Sequence, residues 1–285
     1  MDIIFQEHIQ QVRTAIPFEV TSVKVHDGGD DFLVFEINSE WMFRFPRNDA
    51  SRIAGKKEMQ FLAKFKPLSP LPIPDYQYVG DGFAGYAKIC GRQLSDEIFQ
   101  EFSTDTYETI AEQLGSFLSV LHKFPLVEAE ELGLMRGWDG THHKNGRVFL
   151  NKVAPLLSSS ARNKAIRCME DLLADEFTGR VIHGDFYLPD HVFFDESKNQ
   201  LGVIDFTDVN IYDPAHDLQS VVEIGGEAFF ESVMKYYDND QDNDLLKRSK
   251  LRLLARPLFV AGYFFANGLE DQYASRLARI EETFA

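Results

Sequence analysis

Hydrophobic and polar residues follow two different periods along this chain, and the period changes near Pro17. Apolar residues at helical spacing predict a first helix over Ile3–Ala15, which the proline closes. Residues 18–26 and 32–37 then alternate or run apolar with β-branched side chains, and a Gly-rich turn separates them, as in a hairpin. The same reasoning predicts strands at 41–45, 75–79 and 84–89 and a helix at 50–66. Ile53, Met59, Phe61, Leu62 and Phe65 are the expected buried positions of that helix.

From residue 94 onward the pattern is mainly helical. Helices are predicted at 106–123, 152–157 and 161–173, and three or four more follow Leu218. Two short strands, at 191–194 and 201–206, interrupt this helical part. The predicted architecture is therefore α+β and bilobal, with a small sheet-containing lobe in residues 1–90, a connection at 91–93 and a larger, mainly helical lobe in 94–285.

Composition narrows the class of protein. The chain has 285 residues, of which 44% are hydrophobic and 26% are charged, as in soluble globular proteins. The longest uncharged apolar run, 258–266, is too short to span a bilayer, and the N-terminus lacks a basic leader. Two cysteines, Cys90 and Cys168, fit a reducing compartment and give no zinc spacing. We therefore expect a cytoplasmic protein without a membrane partner.

The net charge of −16 argues against a nucleic-acid partner, because such binding needs clustered Lys and Arg. The acids are concentrated between residues 181 and 217, where eight of them accompany a single base, Lys198. Asp185 follows an apolar run and Asp205 lies inside Val-Ile-Asp-Phe. A charge buried alone is very costly, so such acids must be paired, hydrogen-bonded or metal-bound. Two such carboxylates are the parts needed for magnesium-assisted phosphoryl transfer to a hydroxyl.

Four motifs occur in order: HGDF at 183–186, HVFFD at 191–195, VIDF at 203–206 and DPAHDL at 213–218. Their order and spacing resemble the aminoglycoside phosphotransferase family, which has a eukaryotic-protein-kinase-like fold. The similarity is closest to the branch that contains 2''-hydroxyl aminoglycoside kinases and macrolide kinases. The resemblance implies that residues 1–90 bind the nucleotide, that 91–93 form a hinge, and that residues 94–285 hold the catalytic and acceptor sites.

In the catalytic part, the resemblance implies that Asp185 is the catalytic carboxylate and that Asp205 is the main Mg²⁺ ligand. The second metal-side residue is one of two neighbours, with His191 favoured and Asp190 as the alternative. The family usually places it five positions after the catalytic Asp, which is Asp190 here, whereas His191 is the match if the loop carries one extra residue. An aspartate would be the harder ligand for Mg²⁺. Asp213 and Asp217 resemble acids that brace the catalytic loop, and capping of the following helix is an equal alternative.

In the nucleotide part, Arg44 stands where the family usually has a phosphate-binding lysine, and Glu58 matches its partner on the following helix. Arginine can hold phosphate through two hydrogen bonds, but its larger planar group makes the replacement non-neutral. The backbone from Ile89 to Gly91 is expected to meet the nucleotide base.

The predicted function is transfer of the γ-phosphoryl of ATP or GTP to a hydroxyl of a small molecule, with the protein acting as a monomer. An aminoglycoside is favoured, because a polycation suits acids of the helical part such as Glu223, Glu227, Asp238 and Glu270. A macrolide is the near alternative, for which the candidate contacts are Phe229, Phe230, Tyr236, Tyr263 and Phe264. A nucleotide-binding protein that does not transfer phosphate is the third hypothesis, motivated by Arg44 and the longer loop.

Overall fold

The computed structural model describes residues 3–29, 31–137, 141–238, 242–269 and 273–285. Within these ranges the α-helices are α1 (Ile3–Ala15), α2 (Asp49–Phe65), α3 (Asp96–Gln100), α4 (Thr104–His122), α5 (Leu126–Glu131), α6 (Thr141–Val148), α7 (Ser159–Ala174), α8 (Leu188–His191), α9 (Ala215–Met234), α10 (Leu245–Ala266) and α11 (Tyr273–Phe284). The strands are β1 (Val23–His26), β2 (Phe32–Ile37), β3 (Trp41–Pro46), β4 (Tyr76–Gly80), β5 (Phe83–Ala87), β6 (Arg92–Gln93), β7 (Arg180–Ile182), β8 (Val192–Asp195), β9 (Gln200–Val203) and β10 (Asn210–Tyr212).

The smaller, N-terminal lobe is a five-stranded antiparallel sheet in the order β1-β2-β3-β5-β4. Pairing of Val34 with Arg44 and of Arg44 with Ala84 puts these residues in one row across three strands. Because side chains alternate between the two faces of a sheet, the adjacent row contains Phe35 and Phe43, which are fully buried in the same cluster as residues of α1. One face of the sheet therefore packs on α1, and the other presents Arg44 to the second lobe.

The predicted order of elements in this lobe is confirmed, with two differences. The first strand begins at Val23 rather than at residue 18, because the backbone N–H groups of Thr21 and Ser22 donate to the side chain of Asn38. The prediction that Ile53 is buried is wrong, since its side chain is 71% exposed. The buried face of α2 includes Ser51, and a residue two positions further lies about 200° around the helix.

The larger lobe has its main core where α4 and α9 pack around two small sheets, ordered β10-β7 and β6-β8-β9. A second cluster joins α7, α10 and α11. The pairing of β6 with β8 fixes the connection from the first lobe to this part of the fold. Residues predicted as a helix at 152–157 instead complete a π-helical turn, Phe149–Val153, and form a 3-10 turn, Ala154–Leu156, with Pro155 inside it. No helix among the described residues combines the length and hydropathy needed to cross a bilayer.

Candidate active site

Asp185 lies in the loop that follows β7, next to a glycine that the fold requires. Gly184 has a φ of +90°, and a Cβ there would lie 2.3 Å from the backbone oxygen of Asp208. Only glycine therefore allows the two loops to approach this closely. The side chain of Asp185 is about half exposed, as a carboxylate that meets a substrate must be. The loop is closely packed at its base and accessible at its carboxylate.

Asp217, at the start of α9, holds the base of this loop. Its carboxylate accepts hydrogen bonds from the backbone N–H groups of His183 and Gly184, at 2.8 and 3.1 Å, and contacts His122 Nε2 at 3.1 Å. The His183 ring makes two further contacts. Its Nε2 lies 3.0 Å from the backbone oxygen of Ile204, and its Nδ1 accepts a hydrogen bond from Asp185 N. These contacts tie the loop of Asp185 to the segment that carries Asp205.

Asp213 has a different set of partners. Both of its oxygens contact buried arginines of α10: Arg248 Nε lies 3.1 Å and Arg252 Nη2 lies 2.7 Å from Oδ2, and Oδ1 also accepts from Ala215 N. Burial opposes ionisation of Asp213, but Arg252 and Arg248 outweigh it and lower its pKa. Asp213 thus caps the start of α9 and anchors α10, whereas the contacts that brace the loop of Asp185 come from Asp217.

Asp205 follows β9 in a left-handed backbone conformation, with a φ of +64°. For a residue other than glycine this conformation is strained, and such strain concentrates at functional sites. Its Oδ1 accepts a 2.6 Å hydrogen bond from Thr207 and lies 3.2 Å from Arg44 Nη2. Burial raises the pKa of Asp205, but Arg44, the Thr207 hydroxyl and nearby histidines outweigh it and lower the pKa to about 2. Asp205 is therefore a carboxylate at neutral pH.

His191 lies between these two acids. Its Nδ1 is 2.6 Å from the backbone oxygen of Asp185 and 3.8 Å from the Asp185 carboxylate, and its Nε2 is 3.9 Å from Asp205 Oδ2. A carbonyl oxygen only accepts, so Nδ1 carries the hydrogen and the lone pair of the neutral ring is on Nε2, on the Asp205 side. Asp190 precedes it in α8 and lines the wall of the nearby cleft.

Arg44 on β3 is fully enclosed by its partners. Its Nη1 donates to both oxygens of Glu58, at 2.9 and 2.7 Å, and to the hydroxyl of Tyr76 at 2.8 Å. The guanidinium also lies 4.0 Å above the ring of Phe32. Burial by itself lowers the pKa of Arg44, but Glu58 outweighs it, so the pKa is raised above its ordinary value. Arg44 is thus a fixed cation at the cleft between the lobes.

A cleft of about 610 Å³ separates the sheet from the loops that carry Asp185 and Asp205. Six of the eight predicted site residues line it: Arg44, Ile89, Gly91, Asp185, Asp190 and Asp205. Gly91 has a φ of +135°, and a Cβ there would lie 2.7 Å from the backbone of Phe194, so the connection passes tightly against β8. Glu58 lies behind Arg44, and His191 lies at the base between the acids. Six of the eight predicted residues thus line one cleft, and the other two contact residues of its lining.

A second cavity, of about 690 Å³, opens on the other side of Asp185 between the loop of residues 184–187, α9 and α10. Among the described lining residues, Asp185 is the one that both cavities share. Asp208 also lines the second cavity, and burial together with the negative charge of Asp185 raises its pKa to about 6. Two acids therefore face this cavity from its catalytic-loop side.

The sequence did not identify Tyr76 and Thr207 as site residues. It also did not place Asp208 in the wall of the second cavity. Tyr76 meets Arg44 from 32 positions away, a proximity that only the sheet creates. For Thr207 the spacing was the available signal, since a hydroxyl two residues after a loop acid is near enough to donate to its carboxylate. Asp208 was counted only as one acid of the cluster, although its spacing of three from Asp205 places it in the same loop.

The donor groups of the cleft fit a magnesium ion that is bound together with a nucleotide. No group of three His, Cys, Asp or Glu side chains forms a closed metal cage within the described ranges. Mg²⁺ does not need one, because it keeps several waters and takes one or two carboxylates plus phosphate oxygens. Asp205 lines the cleft and supplies an ionised carboxylate, and His191 supplies an oriented Nε2 that lies 3.9 Å from Asp205 Oδ2.

A bilobal kinase-like fold, with paired acids and a buried arginine–glutamate pair between the lobes, defines a phosphotransferase. Comparison with known proteins agrees, since the model of the phosphotransferase enzyme family (APH) matches residues 22–253. The chain belongs to this family.

Individual relatives extend the comparison. Viomycin phosphotransferase from Streptomyces vinaceus is 24% identical over 241 residues, which cover 81% of this chain and 83% of the relative. The GDP and kanamycin complex of APH(2")-IIia superposes with a TM-score of 0.86 at 26% identity, covering 97% of this chain and 98% of that one. Macrolide 2'-phosphotransferase MphH from Brachybacterium faecium shares the fold, with a TM-score of 0.73 at 19% identity and coverage of 98% and 97%.

Proposed function

We propose that the protein is an aminoglycoside phosphotransferase, which moves the γ-phosphoryl of ATP or GTP to a hydroxyl of its acceptor. The observation that carries this proposal is the position of Asp185, which lines both the interlobe cleft and the second cavity. A carboxylate at this junction can accept the hydrogen bond of an acceptor hydroxyl and hold its oxygen in line with a phosphate that comes from the other side. We call the second cavity the acceptor cavity below.

The proposed roles follow from the contacts. Arg44, fixed by Glu58, binds nucleotide phosphates, and the backbone of Ile89 and Gly91 meets the base. Asp205 and His191 hold Mg²⁺, with His191 preferred to Asp190 because it lies within 4 Å of both carboxylates. Magnesium bound in this way would neutralise charge on the transferred phosphoryl group. We also propose 1–90 as the nucleotide-binding lobe, 91–93 as the hinge and 94–285 as the catalytic lobe, since β6 at Arg92–Gln93 already pairs with β8.

The acceptor oxygen forms a bond to the γ-phosphorus as the bond from that phosphorus to the β–γ bridging oxygen breaks. Asp185 accepts the hydroxyl hydrogen bond throughout this displacement, and its carboxylate receives the proton as the new bond forms. Asp217 and His183 keep the loop of Asp185 in place and so preserve the alignment. These residues supply position and charge rather than covalent chemistry.

An aminoglycoside acceptor is supported by two observations. Asp185 and Asp208 give the acceptor cavity a negative side that suits ammonium groups. The relative that is 26% identical over nearly its whole length was solved with kanamycin and GDP. The acids first predicted to meet amines contribute less than expected, because Glu223, Glu227 and Asp238 pair with Arg256, Lys250 and Lys123. Glu270 lies outside the described residues.

The macrolide alternative loses part of its basis. Of its five candidate aromatic contacts, Tyr263 lines the acceptor cavity, whereas Phe229 and Phe230 are buried in the core. Burial removes these two rings from any contact with an acceptor.

The experiment that tests the proposal measures release of nucleoside diphosphate with ATP or GTP in the presence of kanamycin, gentamicin or erythromycin. We expect release that depends on an aminoglycoside, together with a rise in melting temperature on aminoglycoside binding. Turnover with erythromycin alone would replace the proposed acceptor by a macrolide. Binding of GDP without turnover of any acceptor would favour a nucleotide-binding protein that does not transfer phosphate.

A further inference from the structure

Arg256 lines the acceptor cavity, and its ion-pair partner Glu223 lies beyond it in an adjoining pocket that Arg256 also lines. Arg256 Nη1 donates to Glu223 Oε2 at 2.7 Å, and Nη2 pairs with Oε1, so the contact is bidentate. It joins α10 to α9, and both side chains are partly buried. Bidentate pairs of this kind are the stronger and geometrically more defined class of charged hydrogen bond. Glu223 is therefore occupied by a residue of the protein itself.

Arg256 keeps its positive charge in this position. Its hydrogen bonds to Glu223 raise its pKa and outweigh the opposing effect of burial. Its guanidinium lies 5.7 Å above the ring of Tyr187, two residues after Asp185. The charged group is thus held between the catalytic loop and α9, in reach of anything that enters the cavity.

The acceptor cavity has two electrostatically different sides. Asp185 and Asp208 face it from the catalytic loops, and Arg252 and Arg256 face it from α10. Arg252 is already satisfied by Asp213, at 2.9 and 2.7 Å. A polycation can therefore place ammonium groups toward the acids, but on the α10 side it meets a guanidinium and a glutamate that is no longer available.

We infer that Arg256 determines which acceptors are used, by blocking Glu223 against ammonium groups. The inference rests on the proposed aminoglycoside acceptor and adds to it a restriction on where amines are tolerated. On the α10 side, a hydroxyl is accepted beside Arg256, whereas an ammonium at the same position is repelled. Selectivity of this kind arises from an unfavourable contact with the wrong ligand as much as from a favourable contact with the right one.

The same pair of helices provides a matched control. Lys250 of α10 pairs with Glu227 of α9 at 2.5 Å, and neither residue lines the acceptor cavity. Removal of Lys250 frees a glutamate on α9 just as removal of Arg256 does, but neither member of the Lys250–Glu227 pair borders the cavity, whereas Arg256 does. Lys250→Met therefore reproduces the change in net charge and in helix pairing without changing the cavity wall.

The test compares kcat/KM for kanamycin-type aminoglycosides in which single hydroxyls are replaced by amines, such as kanamycin A and kanamycin B. We expect Arg256→Met to raise the amine-to-hydroxyl ratio of kcat/KM about tenfold for at least one such pair, since a new contact between charges in a partly buried site contributes at this scale. Arg256→Met combined with Glu223→Gln removes the freed carboxylate as well, so its ratio should fall below that of Arg256→Met alone. Arg256→Lys, which keeps the charge, should leave the ratio close to wild type, and so should Lys250→Met.

Unchanged ratios in Arg256→Met, or an equal change in Lys250→Met, would overturn the inference. Ratios are used because a general loss of stability or activity cancels in them. If the wild-type protein phosphorylates no aminoglycoside, the proposed function fails, and binding of the same compounds by calorimetry then decides the inference separately. Tighter binding of the aminated compounds to Arg256→Met than to wild type supports it, and equal binding overturns it.

Discussion

Arg44 of the N-terminal lobe and Asp205 of the C-terminal lobe meet with 3.2 Å between Nη2 and Oδ1, although 161 positions separate them in the chain. The same guanidinium is held from behind by Glu58, so one buried cation connects the helix α2, the strand β3 and the loop that follows β9. The arginine in place of the usual lysine has an evident physical basis, because it makes contacts in three directions: Glu58, Tyr76 and Asp205. A lysine presents a single charged nitrogen and cannot reproduce this planar arrangement.

The first prediction concerns this buried pair. Arg44→Met leaves the Glu58 carboxylate buried without a cation, and breaking a buried pair in this way costs about 3–5 kcal/mol of unfolding free energy. Urea denaturation of the apoprotein measures the loss. Arg44→Met combined with Glu58→Leu should lose less than Arg44→Met alone, since no unpaired charge remains. An Arg44→Met variant within about 1 kcal/mol of wild type would show that the pair does not stabilise the fold.

The second prediction separates the two candidate metal-side residues. His191→Ala removes the group that lies between Asp185 and Asp205, and should raise the Mg²⁺ concentration needed for half-maximal activity about tenfold or more. Asp190→Ala, on the wall of the cleft, should change this requirement far less. Titration of activity with Mg²⁺ at saturating nucleotide measures both. Equal effects of the two substitutions would contradict the preference for His191, and negligible effects of both would remove both residues as ligands.

The third prediction concerns pH and His216, whose Nε2 lies 2.9 Å from the backbone oxygen of Gly184. Burial first, and then Arg252, lower the pKa of His216 to about 4 from an ordinary value of 6.5. The unfolded chain therefore binds this proton more readily, so the neutral ring contributes stability above pH 6.5 that is lost as pH falls toward 4. The contribution reaches at most about 3 kcal/mol.

His216→Gln keeps a hydrogen-bond donor but cannot be protonated, so it should flatten the decline in stability between pH 6.5 and 4. Urea denaturation of both proteins across this range measures the difference in slope. Neither His122→Gln nor His26→Gln is a clean control, since the first breaks the contact with Asp217 and the second the contact with Glu36. Parallel curves for wild type and His216→Gln would show that the ring is not a source of acid sensitivity.

Asp185 and Asp205 are the residues whose chemistry the sequence predicts most directly. Each stands next to an apolar strand, and an acid in such a place has few structural explanations, so the sequence alone indicated their chemistry. Their neighbours could not be found in this way. Tyr76 reaches Arg44 through sheet pairing, and the Arg256–Glu223 pair forms because α9 and α10 pack side by side. Contacts of this kind depend on tertiary distances that no local pattern encodes.

The same dependence on tertiary contacts explains why the predictions for Ile53 and Glu223 failed. Ile53 is apolar and near helical spacing, but the face of α2 that is buried is set by the position of the helix on the second lobe. Glu223 carries a charge that suits an amine, and only the folded structure reveals that Arg256 already occupies it. Local patterns gave the elements and the acids, whereas tertiary packing decided which of these groups remain available to a ligand.

The most direct test of phosphoryl transfer at this site is the turnover of Asp185→Asn with an aminoglycoside and GTP or ATP, measured beside its affinity for GDP. The amide keeps the size of the side chain but cannot accept the hydroxyl proton, so we expect turnover to fall about 10²- to 10⁴-fold while GDP affinity stays close to wild type. Asp195→Asn, at an acid of β8 that pairs with Lys198 outside the cleft, serves as the control and should keep its activity. Turnover by Asp185→Asn equal to that of Asp195→Asn would contradict the assignment of Asp185 as the catalytic carboxylate.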